Sequence, residues 1–501
     1  MARSLFRASI LVSIALLLSR LSGLLREQVL GARLGLSAEM DGALLLLTLP
    51  DLMVGLLLSG GFTAALVPVL TRAEHPDRIA LVRRMMLVTG LGAVALGLLL
   101  FAAMPLVLAL LAPSLDLTKL TAFQAGFALS LAAIPISAAI GVSSAYLHVK
   151  GSYSIPALTV LAFNGLLILY FLFGLGGQVL HFAIFGLAVV LAALLRFALQ
   201  AARMPEAFRR LENRGSTPRF GAGFAGTFVK GILGAALIVG MPLVFRSLYA
   251  LGGDGELARF NYALRLFELP MGILIGPITV IFLPLLSHLH GSDRMQFQSR
   301  AALGLRAAYL LGLTATLTVV LFARPIADLL FGFGEMRGEG AAAIAAATRM
   351  IILGLPFMAA FQILSTALNA SNRTGDVLRY SGIALVASLC LAFALFLLQA
   401  PPALAAEIGF VAFGVLACAL GFPAVFDGTE AKDLIVKLGI MTLRAGAVAV
   451  PFFFLTDAAG TSSHVLTDLF LMAGLSLGIL AVNFPVLRDL SRIRDTRHDA
   501  A

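Results

Sequence analysis

The stretch SILVSIALLLSRLSGLLRE, Ser9 to Glu27, decides how this chain folds. It is apolar enough to enter a bilayer, yet Arg20 lies near its middle and Arg26 lies beside Glu27 near its end. On a helix, Arg20 and Glu27 share one stripe because they are seven residues apart, and Arg26 lies next to that stripe. An arginine inside a membrane helix costs about 2.5–3.5 kcal/mol on insertion scales, so it usually faces a polar cavity or a partner. The rest of the sequence must supply what faces Arg20.

Composition places the whole chain in a membrane. Its 501 residues are 60% hydrophobic and 12% charged, with a mean hydropathy of +0.99, whereas soluble domains contain about 25% charged residues. The formal charge of +10 would suggest nucleic-acid binding in a soluble protein. Here the basic residues concentrate in alternate loops, which predicts a multi-pass protein with both termini in the cytoplasm and no nucleic-acid partner. Cys390 and Cys418 lie in apolar runs, which predicts packing residues rather than a disulfide or a metal site.

We predict an all-α polytopic fold with fourteen transmembrane helices, since about 20 apolar residues cross a bilayer. The predicted spans are 8–30, 42–70, 85–112, 121–147, 154–176, 179–201, 224–250, 257–286, 305–331, 343–370, 380–399, 403–425, 434–456 and 465–487.

The polar stretch 203–222 separates two sets of six spans that resemble each other. Leu49-Pro50 in span 2 corresponds to Leu269-Pro270 in span 8, and Pro135 in span 4 corresponds to Pro356 in span 10. Six spans return the chain to the same side, so the repeats would be parallel, a transporter plan that places the substrate in a central cavity between the halves. The predicted domains are an N-terminal six-helix lobe at 1–202, a cytoplasmic linker at 203–222, a C-terminal lobe at 223–400 completed by the span at 403–425, and two further helices with a basic tail at 426–501.

Span 8 contains the proposed counterpart of Arg20. Asn261, Arg265 and Glu268 lie on one face because their spacings are 4 and 3. Arg265 lies at a depth comparable with Arg20, so the first helices of both lobes would present guanidinium groups to a shared centre. The planar arginine fork suits a pyrophosphate, whose oxygens it binds bidentately. The alternative is local pairing, of Arg265 with Glu268 and of Arg20 or Arg26 with Glu27.

Three more charged residues in or beside the spans have two interpretations each, and a fourth has one. Asp51 lies on a mildly polar face of span 2 and either binds a cation or proton or pairs with an arginine. Asp41 lies at the outer mouth, where it is either a gating residue or an interfacial one. Arg246, in the outer part of span 7, either contacts an anion or extends its side chain towards the interface. Arg324 is expected to pair with Asp328, four residues on.

Enzyme signatures are missing from the sequence. It contains no phosphate-binding Walker loop, no histidine or cysteine spacing typical of a metal site, and no nucleophile–base arrangement. We therefore predict a protein that is not an enzyme, with no cofactor and no metal.

Several segments resemble the MurJ/MviN lipid II flippases of the MOP exporter superfamily. The matching segments are SRLSGLLREQVLGARLG (19–35) followed by Asp41, LPDLMVGLLLSGGFTAALVPVL (49–70), YSIPALTVLAFN (153–164), YALRLFELPMGILIGPITVIFLPLLS (262–287) and LNASNR (368–373). The resemblance implies two six-helix lobes around a central cavity, with two C-terminal helices forming a groove for the lipid tail. It implies transport of undecaprenyl-pyrophosphate-linked peptidoglycan precursor across the bacterial inner membrane by alternating access. The implied cavity residues are Arg20, Arg26, Arg265, Asp41 and Glu268.

The sequence departs from this family in span 2. Val54 and Gly55 stand where the family has a basic pair, and Ser59 stands where it has an acid. The acids that some members carry in spans 7 and 11 for a sodium site are also missing here. The substrate-binding set is therefore predicted as Arg20, Arg26, Arg265 and Arg246, with Arg246 as a substitute for the lost charge, and the gating and ion-pairing set as Asp41, Asp51, Glu268, Glu27 and Asn261.

Three rival functions remain open. One is a flippase for another polyprenyl-linked saccharide, such as an exopolysaccharide or O-antigen unit, which the altered span 2 favours slightly. Another is a drug or cation antiporter of the same superfamily, although the excess of arginine speaks against it. A third is a membrane scaffold without transport activity, for which Arg20→Ala and Arg265→Ala would leave function intact. The energy source is predicted to be a coupling ion or the membrane potential.

Overall fold

The computed structural model describes residues 2–57, 62, 65–173, 180–208, 220–221, 223–290, 293–459 and 465–495. Every regular element among these residues is a helix, as composition predicted. Contacts between helices divide the chain into two compact units. Unit 1 comprises Met1–Ala258 and Phe333–Met336, and unit 2 comprises Arg259–Gly332 and Arg337–Ala501.

Nine α-helices lie in the described residues of unit 1. They are α1 Ala2–Leu34, α2 Ala38–Leu56, α3 Val67–Arg72, α4 His75–Ala102, α5 Met104–Leu111, α6 Phe123–Val149, α7 Ser154–Phe173, α8 Phe182–Ala201 and α9 Phe224–Ala250.

Unit 2 contains the remaining described α-helices. They are α10 Glu256–Pro270 (whose first turn belongs to unit 1), α11 Gly276–Leu289, α12 Arg294–Phe331, α13 Glu339–Ile351, α14 Leu355–Ala370, α15 Thr374–Leu397, α16 Pro402–Val425, α17 Gly428–Ala459, α18 Val465–Val482 and α19 Phe484–Asp495. A π-helical turn, Met271–Ile275, joins α10 to α11 directly after Pro270.

Within the described ranges, eleven helical segments are long and apolar enough to cross a membrane, and α9, bent by 40°, would make twelve. They correspond to predicted spans 3 to 14. The expected count of fourteen is not confirmed, because the predicted spans 8–30 and 42–70 are outside this set. The second of them includes residues 58–61, 63 and 64, which lie outside the described residues.

Lipid-facing character is visible on α4, where Leu87, Leu91 and Leu98 are 66%, 64% and 65% exposed along one face.

One predicted span differs in its extent. Span 3 was expected at 85–112, but α4 begins ten residues earlier and the helix is interrupted at Ala103, two residues before Pro105, which lacks a backbone donor. Of the two cysteines, Cys390 is exposed on α15 and Cys418 is partly buried.

The helices of unit 1 approach closely where small residues allow it. A Cβ atom on Gly126 of α6 would lie 2.3 Å from the carbonyl oxygen of Phe182, and one on Gly186 of α8 would lie 2.5 Å from the carbonyl oxygen of Gly126. Only glycine at these two positions permits this packing of α8 on α6, which fixes the helix that carries Arg196.

The turn between α1 and α2 also follows from the sequence. Gly35 has a φ of 64°, a conformation that glycine adopts without strain, and it ends α1. Ser37 caps α2, since its hydroxyl accepts a hydrogen bond from the backbone N–H of Met40 at 3.2 Å. α1 then packs along α7, which sets the position of the arginines that it carries.

The predicted lobe boundary at residue 223 stays a prediction. Of the two compact units, unit 1 includes α9, which packs against α2 and α5. Most of the predicted linker, residues 209–219 and 222, lies outside the described residues.

Unit 2 is built on α12, its longest helix. This helix is kinked at Phe322, three residues before Pro325, and it packs against α11, α13, α14, α17 and α18. Polar contacts join it to the last two spans: Tyr309 Oη lies 3.0 Å from Thr442 Oγ1, and Thr318 Oγ1 lies 3.0 Å from Ser476 Oγ.

Candidate functional site

Arg26 is buried inside unit 1 and held by groups from two helices. The residue is 6% exposed. Its Nη1 donates a hydrogen bond to Asn164 Oδ1 of α7 at 3.2 Å, and its Nη2 lies 3.5 Å from Glu27 Oε1. Glu27 is 2% exposed, so the two charges compensate each other in a place where water cannot. The local pairing considered from the sequence is thus present for Arg26, together with a tertiary contact.

Asn164 is a site residue that the sequence reasoning did not select. Its Nδ2 donates to Ser22 Oγ at 2.9 Å, and Ser22 Oγ donates to the carbonyl oxygen of Ser19 at 2.8 Å. The amide therefore joins Arg26 to the polar side of α1. The available signal was an asparagine inside an otherwise apolar span, which indicates a polar partner.

Asp51 brings α2 into the same cluster. Its Oδ2 lies 4.0 Å from Arg26 Nη1, and its side chain is 48% exposed. Of the two interpretations of Asp51, the structure contains the pairing with an arginine. We call Arg26, Glu27, Asp51 and Asn164 the α1 cluster.

Arg196 of α8 is the second residue that sequence reasoning missed. It is partly buried, and its buried Nε has no hydrogen-bond partner among the described residues. Asp51 is the carboxylate that attracts it electrostatically. The signal in the sequence was an arginine in a strongly apolar predicted span, the same signal that singled out Arg20.

Arg20 itself is exposed, unlike Arg26. Six residues separate the two, which places them about 120° apart around α1. Within the described part of the chain, the Arg20 side chain makes no hydrogen bond or ion pair, so its guanidinium is available to a ligand.

Asp41 is buried and caps a helix. It is 3% exposed. Its Oδ2 accepts a hydrogen bond from the backbone N–H of Gly255 and its Oδ1 one from that of Ala258, both at 2.7 Å. A carboxylate at the first turn of α10 satisfies free N–H groups and is favoured by the positive end of the helix dipole. Asp41 therefore fastens α2 to the start of α10, all within unit 1.

Arg246 fastens α9 to α2. It is 5% exposed, and its Nη2 donates to Thr48 Oγ1 at 2.9 Å. It also attracts Asp41 electrostatically. Its buried position between helices contradicts the interpretation of a side chain extended to the interface.

In unit 2, Arg265 and Glu268 form an accessible pair on one helix. Arg265 Nη1 lies 2.8 Å from Glu268 Oε2, and the two side chains are 40% and 47% exposed. Asn261, one turn earlier, is 7% exposed, and its Nδ2 has no hydrogen-bond partner in the part of the chain that the structure describes. The local pairing considered for Arg265 is present, and the exposure leaves its remaining donors reachable.

Two further features of the predicted site can be placed. Val54 and Gly55 lie on α2 within one turn of Asp51, while Ser59 lies outside the described residues. Across the described ranges, no three histidine, cysteine, aspartate or glutamate residues converge in a way that could hold a metal ion.

Comparison with known proteins gives one family. The model of the family described as "Lipid II flippase MurJ" matches residues 32–470. The chain is 26% identical over 387 residues to the lipid II flippase MurJ of Burkholderia cenocepacia, covering 74% of each chain. It is 24% identical over 416 residues to the probable lipid II flippase MurJ of Vibrio cholerae, covering 78% of this chain and 77% of the relative.

Solved structures share the fold. A lipid II flippase MurJ in an inward closed conformation superposes with a TM-score of 0.77 at 16% identity, covering 96% of this chain and 99% of the other. An inward-facing multidrug resistance MATE family transporter of the MOP superfamily superposes with a TM-score of 0.67 at 15% identity, covering 86% and 99%.

Proposed function

The chain belongs to the lipid II flippase MurJ family, and from that premise we propose that it moves lipid II, an undecaprenyl-pyrophosphate-linked peptidoglycan precursor, between the leaflets of the bacterial inner membrane. The direction is from the cytoplasmic to the periplasmic leaflet, by alternating access, with both termini in the cytoplasm. The observation that carries the proposal is the family match over residues 32–470. Asp51 and Asn164 of the α1 cluster lie within this range, and Arg26 and Glu27 lie just before it.

The chemistry of the described arginines supports this function. A head group that carries a pyrophosphate needs cationic hydrogen-bond donors during its passage, because the bilayer interior offers none. Arg20 and Arg265 are exposed, and arginine binds phosphate oxygens through two parallel hydrogen bonds. We assign substrate binding to Arg20, Arg26, Arg265 and Arg246, and gating or ion pairing to Asp41, Asp51, Glu268, Glu27 and Asn261.

The lipid tail is assigned to the last two spans. α17 and α18 present large apolar side chains outward: Leu443, Phe454, Leu466 and Phe470 are 76%, 64%, 68% and 77% exposed. A polyprenyl chain matches such a surface by hydrophobic contact alone. The proposal includes an energy source for net transport, either a coupling ion or the membrane potential.

A second candidate is a flippase for a different polyprenyl-linked saccharide, favoured by one observation. The basic pair expected in span 2 is replaced by Val54 and Gly55, which changes the charge available to the head group. Both candidates share the polyprenyl pyrophosphate and differ in the sugar.

The test is a leaflet-resolved lipid II translocation assay in cells depleted of the native protein. Wild type should restore periplasmic exposure of lipid II, and Arg20→Ala should not, although the variant accumulates at the normal level. Lysis with accumulated lipid II on depletion supports the first candidate. Viable cells that lack a surface polysaccharide support the second and contradict the first.

A further inference from the structure

Arg196 is a guanidinium in a membrane helix without a direct partner. It lies five residues before the end of α8, about 7.5 Å along the helix axis. Its buried Nε donates to no acceptor, and no hydrogen bond or ion pair joins its side chain to another residue in the described part of the chain. Arginine has five N–H donors, and leaving them unused in a partly buried place is unfavourable. A ligand with several acceptor oxygens would remove that penalty.

Asp51 lies beside one arginine and on a helix that packs against the helix of another. Asp51 Oδ2 lies 4.0 Å from Arg26 Nη1, and α2, which carries Asp51, packs against α8, which carries Arg196. At 4.0 Å the contact with Arg26 is an ion pair without a hydrogen bond. The Asp51 side chain is 48% exposed, so it can leave this position without opening the protein core.

We propose that Arg196 binds a phosphate oxygen of the substrate's pyrophosphate, and that Asp51 is an internal counter-anion which the pyrophosphate displaces from Arg26. This inference rests on the proposed function, since it specifies how the same substrate is held. It places on α8 the positive charge that the family has in span 2, where this chain has Val54 and Gly55.

Arg246 is a weaker candidate for that charge. It is 5% exposed and donates to Thr48, and it lies near the buried carboxylate of Asp41. Its charge is therefore already matched inside the protein. Asp51, by contrast, is half exposed, lies on the helix that packs against that of Arg196, and is within about one helical turn of both Val54 and Gly55.

The proposal predicts effects of opposite sign at two neighbouring positions. Arg196→Gln removes donors for the pyrophosphate and should weaken binding on the order of 10-fold, the size expected for one charge-assisted hydrogen bond. Asp51→Asn removes the competing anion and should tighten binding roughly 3- to 10-fold. Misfolding cannot make a variant bind more tightly, so tighter binding by Asp51→Asn cannot be attributed to a folding defect.

The experiment measures binding of undecaprenyl pyrophosphate to the purified full-length chain in phosphatidylcholine nanodiscs. Arg203→Gln is the matched control, because Arg203 is an exposed arginine two residues beyond α8. Undecaprenol, which has the same tail without phosphates, is the control ligand. Arg196→Gln should change the dissociation constant of undecaprenyl pyrophosphate only, and Arg203→Gln should change neither.

Each outcome has one meaning. Wild-type binding with Arg196→Gln equal to Arg203→Gln overturns the role of Arg196 while leaving the proposed function intact. Asp51→Asn that binds no more tightly than wild type overturns the role of Asp51 as a competitor. Absence of wild-type binding overturns the proposed function together with this inference. Loss of the Arg196 effect when phosphatidylglycerol is added at equal mole fraction would assign the residue to bulk lipid head groups and overturn the proposal as well.

Discussion

Arg26 and Arg265 have the same predicted role but opposite surroundings. Arg26 is 6% exposed and is held by Glu27 on its own helix, by Asn164 on α7 and, more distantly, by Asp51 on α2. Arg265 is 40% exposed and is held by Glu268, three residues away on the same helix. One arginine is positioned by tertiary packing, and the other is positioned by its own helix.

The difference in burial predicts different effects of the two arginines on stability and on transport. Removing one member of a buried ion pair leaves an uncompensated charge and destabilises strongly, whereas exposed pairs contribute about 0–1 kcal/mol. Arg26 should therefore matter for folding as well as for transport, while Arg265 should matter for transport alone.

The largest effect is expected for Arg26→Ala. It removes the cation that lies 3.5 Å from the buried carboxylate of Glu27, which should lower the free energy of unfolding by about 3–5 kcal/mol. Thermal unfolding followed by size-exclusion chromatography in detergent measures this loss. The double variant Arg26→Ala/Glu27→Gln removes both charges of the pair and should regain most of the stability without regaining translocation. Equal instability of the single and double variants would contradict the pairing.

A somewhat smaller effect is expected for Asp41→Ala, a second buried charge that acts between helices. It removes two acceptors from the first turn of α10, and hydrogen bonds to a charged group contribute about 1.5–3 kcal/mol. Amide exchange at residues 254–259 should become faster. Asp41→Asn is the control, since asparagine also caps helices well and should retain much of the protection. Unchanged exchange in Asp41→Ala would show that the cap does not hold α10.

Asn164→Ala should have an intermediate effect within the α1 cluster. The substitution leaves donors of Arg26 and the hydroxyl of Ser22 without this amide, a loss of about 1–3 kcal/mol for buried polar groups. Arg26 keeps its contact with Glu27, so the loss should remain below that of Arg26→Ala. Thermal unfolding of both variants side by side gives the order, and the reverse order would remove Asn164 from the group that positions Arg26.

The smallest change in stability is expected for Arg265→Ala, within about 1 kcal/mol of wild type because the pair is exposed. Its translocation of lipid II should nevertheless fall by at least roughly tenfold, the effect of one lost charge-assisted contact. Arg324→Ala is a close match, because Arg324 and Asp328 form an equally exposed pair, 41% and 43%, in the same unit. That variant should change neither quantity. If both variants translocate equally well, Arg265 is an ordinary surface residue.

Local patterns explain what could be predicted at the site. The pairing of Arg265 with Glu268 and that of Arg324 with Asp328 are both present, because residues three or four apart on a helix are neighbours wherever the helix lies. The polar side of α1 was visible for the same reason. Arg196 and Asn164 were missed because neither has a charged partner within one turn, although each is a polar residue in an apolar helix.

The sequence by itself determined an all-helical membrane protein of the lipid II flippase family and the helices that carry its arginines. Hydropathy and helical spacing are properties of short stretches, so they need no knowledge of packing. Only the tertiary structure decided that Arg26 meets Asn164, 138 residues away, and that Asp41 caps a helix more than 200 residues further along the chain. Such contacts depend on which helix faces pack together, and that choice is made by the whole unit at once.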